Sequence, residues 1–254
     1  MRLVDLSLFA PVFEPLSGLT VDIVDGIGNI GDQLLYLSAR ELCKEFNIEY
    51  FTVNTLAENP IPRCDKLLLF GGGNIGFPPA VAIRRKAFES GIPCWLLPQS
   101  VVRSEDLQCE KAFFRESVSR DIMGYGEIAP DLALGFNFPD SCINKRGSQV
   151  FLRRNGGSVH HHVRHELKID PAMWCYTPED YWSLADEFES ITTDRLHLAI
   201  CSLAMGTGTT LLPVNYHKNN AMFREWLEPL GCCWKDHILS NEISGTLEGR
   251  QFTR

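Results

Sequence analysis

A chain of 254 residues with 44% hydrophobic residues can bury one large core or two modest ones, which excludes a disordered polypeptide. Its formal net charge of −8 excludes a general nucleic-acid-binding surface, so any anionic ligand must be held by a local basic pocket. Nine cysteines, scattered singly apart from Cys232-Cys233 and without zinc-type pairing, read as reduced thiols of a cytoplasmic protein and mostly as small core residues. The start, Met1-Arg2-Leu3-Val4-Asp5, has an acid where a secretory signal would run apolar, and no apolar run approaches the ~18 residues of a membrane span.

Residues 1–17 carry Pro11 and Pro15 and read as an entering arm or edge strand. Thr20-Val21-Asp22-Ile23-Val24 reads as the first strand of a parallel sheet. It runs into a turn ending at Gly28-Asn29-Ile30-Gly31-Asp32, and Leu35, Ala39, Leu42 and Phe46 mark the helix behind that turn. Residues 49–53 form a second strand and residues 66–70 a third, more apolar and therefore central. Gly71-Gly72-Gly73-Asn74-Ile75-Gly76 follows at once. The pattern then predicts a helix over 79–90 closing on Gly91, a strand over 94–97 ending at Pro98-Gln99-Ser100, and a helix over 105–118. Strands alternating with helices predict a doubly wound α/β layer.

Turn formers and charges interrupt the alternation over 139–148, which places a domain boundary there and divides the chain into residues 1–140 and 141–254. The alternation restarts with a strand over 149–152, a polar stretch, a strand over 173–175, and a helix from Pro178 that Thr177 and Asp180 would cap. A short strand over 190–192, a helix from about Asp194, a strand over 210–214 and a helix carrying Phe223, Trp226 and Leu227 complete the second half. Residues 241–254 show no pattern. Two α/β units with a cleft between them is the simplest expectation, since ligands in open sheets bind at the carboxyl ends of strands.

The most informative stretch is Thr192-Thr193-Asp194-Arg195-Leu196-His197, where a strand turns into a helix. Arg195 and His197 fall in the first turn, where amide N–H groups have no helical partner and the macrodipole is positive. Arg adds a fixed fork of donors and His a group that titrates near neutral pH, which suits an anion-binding, proton-transferring site. The plain alternative is an Arg capping a neighbouring strand and a His satisfied by a backbone carbonyl. Gly26, Gly28 and Gly31 also match the dinucleotide spacing G-x-G-x-x-G after a strand. Against a nicotinamide enzyme, Asp32 puts a carboxylate where a pyrophosphate would approach, and Val53-Asn54 offers no acid for a ribose. The same spacing recurs at Gly71, Gly73 and Gly76, so both read as close-approach turns at a cleft rim, or simply as glycines packing strand on helix.

An ordered set of motifs resembles the polysaccharide pyruvyl transferase family: Gly28-Asn29-Ile30-Gly31-Asp32, Gly71-Gly72-Gly73, Leu97-Pro98-Gln99-Ser100, Ser119-Arg120-Asp121, Ala129-Pro130-Asp131, Leu152-Arg153-Arg154, Thr193-Asp194-Arg195-Leu196-His197 and Asn215-Tyr216-His217-Lys218. The resemblance implies two Rossmann-like domains facing a cleft as in GT-B glycosyltransferases, the second one short. It implies transfer of a pyruvyl group from phosphoenolpyruvate to two hydroxyls of a polysaccharide or lipid-linked glycan precursor, with a cyclic ketal and phosphate as products and no further cofactor. Peripheral membrane association through a lipid-linked acceptor is compatible with it.

On the donor side, residues 141–254, the resemblance assigns Arg195 and His197, with Leu196 between them, to donor binding and proton transfer. Arg153 is the second clamp, while its neighbour Arg154 should point to the other face. Lys218 could meet the phosphate as a point charge, or be a solvated lysine at a helix start. On the acceptor side, residues 1–140, the candidates are Asn29, Asp32, Gly72, Gly73, Gln99 and Ser100. Asp32 suits sugar hydroxyls there and equally suits a positive helix start. The segment from Asn155 to His165 is shorter than in longer family members and carries four histidines. His161 and His165 would share a face if helical, with only Glu166 near, so a solvated loop is preferred to a metal site. A GT-B glycosyltransferase using a nucleotide sugar and a noncatalytic glycan-binding protein are the rival readings.

Overall fold

The computed structural model describes residues 1–25, 28–54, 64–69, 72–73, 75–141, 144–239 and 242–243. Gly26, Phe70, Gly71, Asn74 and most of the patternless tail lie outside the described residues. The chain divides into two compact units, Arg2–Asn137 and Phe138–Arg254 together with Met1.

In the first unit the N-terminal residues are helical where an arm or edge strand is expected. Asp5 caps a 3-10 turn over Leu6–Phe9, accepting the Ser7 N–H at 2.8 Å, and α1 (Ala10–Phe13) follows with Pro11 in its first turn, where a missing N–H loses no helical bond. Phe9, Val12, Phe13 and Leu16 are fully buried, and Phe13 stacks on Phe46 at 5.6 Å. Burying four large side chains from so short a segment outweighs whatever an edge strand would gain from backbone pairing.

The remaining elements of this unit are β1 (Thr20–Asp25), α2 (Ile30–Glu45), β2 (Glu49–Asn54), β3 (Lys66–Leu69), α3 (Pro78–Glu89), β4 (Cys94–Gln99), β5 (Lys111–Phe114), α4 (Ser117–Met123) and β6 (Glu127–Ile128). Among the described residues they build a six-stranded parallel sheet in the order β2-β1-β3-β4-β5-β6. The apolar β3 is interior, as the sequence predicts, and β4 beside it is buried along its whole length. Growth of the sheet reverses between β1 and β3, and that switch point is where open α/β sheets receive ligands. The helix expected over 105–118 is replaced by β5 and the start of α4. Ala112, Phe113 and Phe114 are all buried there, and so short an apolar run fits a helix face and a core strand equally well.

In the second unit the order is β7 (Ser148–Phe151), α5 (Pro178–Asp186), β8 (Ser190–Thr193), α6 (Leu196–Ala204), β9 (Gly208–Leu211), α7 (Lys218–Met222) and β10 (Cys233–Trp234). The strands lie parallel in the order β10-β9-β8-β7. A capping box starts α5: Thr177 Oγ1 accepts the Asp180 N–H and the Asp180 carboxylate accepts the Thr177 N–H at 2.8 Å. The strand expected over 173–175 is instead a 3-10 turn, Pro171–Met173, that Asp170 caps. Helix α6 is apolar on nearly every side and almost entirely buried, which fixes its first turn against the sheet. No helix among the described residues is long and apolar enough to cross a membrane.

Candidate active site

Strand register assembles the donor-side candidates. Phe151, Thr193 and Leu211 stand level across β7, β8 and β9, so Arg153 and Arg195, each two residues further on, both lie just past the carboxyl edge of this sheet. Arg195 is the N-cap of α6, and its N–H donates to Thr193 Oγ1 at 3.0 Å. Its guanidinium makes a two-point contact with Asp170, Nε to Oδ1 at 3.0 Å and Nη2 to Oδ2 at 2.6 Å. Asp170 also accepts the N–H groups of Arg154 at 2.9 Å and Ala172 at 3.2 Å. Burial works against the Arg195 charge, but the Asp170 hydrogen bonds and charge outweigh it and raise the pKa.

Arg153 is 7% exposed and turns onto the loop between β8 and α6. Its N–H donates to Asp194 Oδ1 at 2.9 Å and its Nη2 to the Asp194 carbonyl at 3.0 Å, while Nε stands 3.6 Å from Asp194 Oδ2. Burial lowers the pKa of Arg153 and raises that of Asp194, each partly offset by the other's charge. Arg154 has different company: its Nε donates to the Lys168 carbonyl at 2.6 Å. The alternation of a strand end separates the two arginines as expected.

His197 occupies the first turn of α6 and is 9% exposed. Asn219, in the first turn of α7, donates through Nδ2 to the carbonyls of Asp194 at 3.0 Å and Leu212 at 2.8 Å. This ties the start of α7 to the loop that carries Arg195. Lys218 stands next to it with Nζ 5.6 Å from the centre of the Tyr216 ring. One end of the second sheet thus gathers two arginines, a lysine, a histidine and a phenol, with Asp170 and Asp194 holding the arginines in place.

The histidine-rich segment is not a helix over 161–165. It is a loop with a turn at His161 and a 3-10 turn at His165–Leu167, so His161 and His165 do not share a helical face. His160 is buried beside His162, Lys168 and His237, and burial with those neighbouring charges pushes its pKa down to about 4. Among the described residues no group of three His, Cys, Asp or Glu side chains is placed to hold a metal ion.

The acceptor-side candidates belong to the first unit. Asn29 caps α2 through Oδ1, which accepts the Gly31 N–H at 2.9 Å, and Asp32 returns the bond by accepting the Asn29 N–H at 2.9 Å. A Cβ on Gly28 or on Gly72 would fall 2.4 Å from the Asp32 carboxylate, so both glycines are close-approach positions around that one group. Asn29, Asp32, Gly72 and the half-buried Gly73 fall at the switch point between β1 and β3. Gln99 and Ser100 lie deeper, both 0% exposed. Gln99 Nε2 donates to the Leu69 carbonyl at 3.1 Å; Ser100 Oγ donates to Glu116 at 3.0 Å and accepts Arg115 Nε at 2.7 Å.

That buried network was not legible as such. Arg115 Nη1 meets Asp131 at 2.6 Å, and Ser119 donates to Glu116. The motif read as Ser119-Arg120-Asp121 contributes only Ser119; Arg120 and Asp121 pair with each other at the surface. Asp170 and Asp194 were likewise missed as partners of the arginines. The available signal for Asp170 was its place before Pro171, where an N-cap is expected.

These features define an α/β protein of parallel sheets with a cationic site at the carboxyl edge of its second sheet. The family model for polysaccharide pyruvyl transferase matches residues 29–216, well over half of the chain. The chain belongs to the polysaccharide pyruvyl transferase family. Among solved structures it is similar to a functionally uncharacterized protein, KP1_0663 from Klebsiella pneumoniae subsp. pneumoniae NTUH-K2044, at 15% identity and a TM-score of 0.63, over 91% of this chain and 96% of that one. This likeness bears on the fold alone. An ABC transporter periplasmic solute-binding protein from Actinobacillus succinogenes 130z with bound D-allose aligns over 89% of this chain and 98% of that one, at 10% identity, but its TM-score of 0.26 carries no argument. No curated protein matches the chain significantly.

Proposed function

We propose that the protein transfers the pyruvyl group of phosphoenolpyruvate to two hydroxyls of a sugar in a polysaccharide or lipid-linked glycan precursor, in the cytoplasm and without a further cofactor. The observation that carries this reading is the clustering of Arg153, Arg195, His197 and Lys218 at one sheet edge in a chain whose net charge is −8. A donor bearing a carboxylate and a phosphate needs at least two cationic groups, and two planar guanidinium groups suit planar recognition of both.

In this reaction both acceptor oxygens bond to C2 of the donor and the C2–O bond to phosphate breaks. One hydroxyl proton ends on the former methylene carbon, which becomes methyl, and the other leaves with phosphate. Arg153 and Lys218 hold the donor, Arg195 helps from the edge that Asp170 leaves to it, and His197 moves the proton. The switch point of the first unit, with Asn29, Asp32, Gly72 and Gly73, is the proposed place for the acceptor. The test is phosphate release from phosphoenolpyruvate across a panel of sugar acceptors. Release by the wild type, cut at least 100-fold in a folded His197→Ala variant, is expected. Full turnover by that variant would remove His197 from the chemistry.

A further inference from the structure

The short glycine loop after β7 folds back onto Arg153. Gly157 accepts the Asn215 N–H through its carbonyl at 3.2 Å, and Gly156 accepts Asn215 Nδ2 at 3.3 Å, so the loop is pinned to the segment after β9 that leads into Tyr216 and Lys218. The Gly157 N–H in turn donates to Asn155 Oδ1 at 3.2 Å. A Cβ built on Gly157 would stand 2.4 Å from Arg153 Nη1 and 3.4 Å from its Cδ. The guanidinium therefore lies against bare backbone. Gly156, one residue earlier, faces open space, and neither glycine has a left-handed φ.

We propose that Gly157 is a positioning residue: its missing side chain fixes where the Arg153 guanidinium sits, and so where Arg153 meets an anionic group of the donor. The donor half of this inference rests on the pyruvyl-transfer reading; the placement half does not. Any side chain at 157 occupies the space of Nη1. The backbone there accepts alanine without strain, and the obstructing atom is the far end of a flexible side chain. The arginine yields, and the fold does not. Nη2 and the Arg153 N–H remain tied to Asp194, so the guanidinium can only rotate away from its present plane.

The experiment compares Gly157→Ala with Gly156→Ala by two readouts. The first is the Nε–Hε signal of Arg153 in a proton–nitrogen correlation spectrum, assigned by its loss in Arg153→Lys. It should move in Gly157→Ala and stay in Gly156→Ala, with melting temperatures of both variants within about 2 °C of wild type, the scale of a surface substitution. The second is calorimetric titration with phosphoenolpyruvate, which should bind roughly tenfold more weakly to Gly157→Ala and unchanged to Gly156→Ala. An unmoved Nε signal in Gly157→Ala, or equal affinities in the two variants where wild type binds, overturns the proposal. A moved signal together with no phosphoenolpyruvate binding by wild type supports the placement of Arg153 and overturns the choice of donor.

Discussion

The Asp170–Arg195 contact makes a quantitative demand on stability. Asp170→Ala removes the acceptors of four N–H donors, from Arg154, Ala172 and two positions on Arg195, and strands a guanidinium that is 7% exposed. Removing one partner of a buried ion pair costs about 3–5 kcal/mol, because the other charge is left without compensation. At about 2–4 °C per kcal/mol for a chain of this size, the melting temperature should fall by roughly 6–20 °C. Arg195→Ala should fall at the lower end of that energy range, since Asp170 keeps its two backbone donors. The double variant should lose about as much as either single one, which gives a coupling energy of ~2 kcal/mol or more. Asp170→Asn separates charge from capping, because its amide oxygen can still accept the Ala172 N–H. The assay is urea unfolding at neutral pH without ligand, with slopes checked for equality across wild type and the four variants. A loss below ~1 kcal/mol in Asp170→Ala, or a double variant equal to the sum of the singles, would refute the pair as the anchor of Arg195.

Other expectations follow from the same geometry. Gly72→Ala should push the Asp32 carboxylate out of its capping position and cost about 1–2 kcal/mol, read as a lower urea midpoint; an unchanged midpoint would show that Asp32 does not need that space. His160 is neutral in the fold, with a pKa of about 4, and takes up a proton on unfolding below its ordinary 6.5. The unfolded chain therefore binds more protons between those values, so its contribution is full above pH 6.5 and is lost as pH falls toward 4. His162, Lys168 and His237 all push in that direction, and His160→Gln should flatten this part of the acid-stability curve. Asp131→Ala should destabilise the first unit by about 1.5–3 kcal/mol, because Arg115 loses a buried charge-assisted hydrogen bond while Glu116 stays 3.9 Å from its Nε, and a variant as stable as wild type would contradict the buried network.

Much of the fold was legible because it rests on local signals. The apolar stripe behind Asn29, the capping box at Thr177 and the strand turning into Arg195 each carry their own spacing, and each reappears where the spacing puts it. The misreadings share one physical cause, in that short buried segments carry too few residues to reveal a period. Residues 112–114 form a strand where a helix was expected, and residues 173–175, expected as a strand, instead close and follow a 3-10 turn over Pro171–Met173. The candidate site shows the same division. Arg153, Arg195 and His197 sit where local reading puts them, at strand ends and a helix start. The carboxylate partners of the two arginines lie 25 and 41 residues away in sequence, Asp170 from Arg195 and Asp194 from Arg153; the parallel register brings Asp194 to Arg153, and the loop whose Ile169 carbonyl accepts the Leu152 N–H brings Asp170 alongside. Ser100 reads as an acceptor-side candidate because it follows a strand; in the fold it closes a buried network with Arg115 and Glu116, 15 and 16 residues on.

Whether the cationic edge of the second sheet binds a small donor bearing both a carboxylate and a phosphate is read by calorimetric titration with phosphoenolpyruvate. Wild type, Lys218→Ala and Arg153→Gln would be titrated side by side, each checked for folding by its melting curve. Losing one charge-assisted contact is worth about 1.5–3 kcal/mol, so each variant should bind roughly 10- to 100-fold more weakly than a wild type that saturates. Saturable binding by wild type with that loss in both variants is the result predicted. The same affinity in all three proteins, or no binding by wild type where a nucleotide sugar does bind, would contradict it.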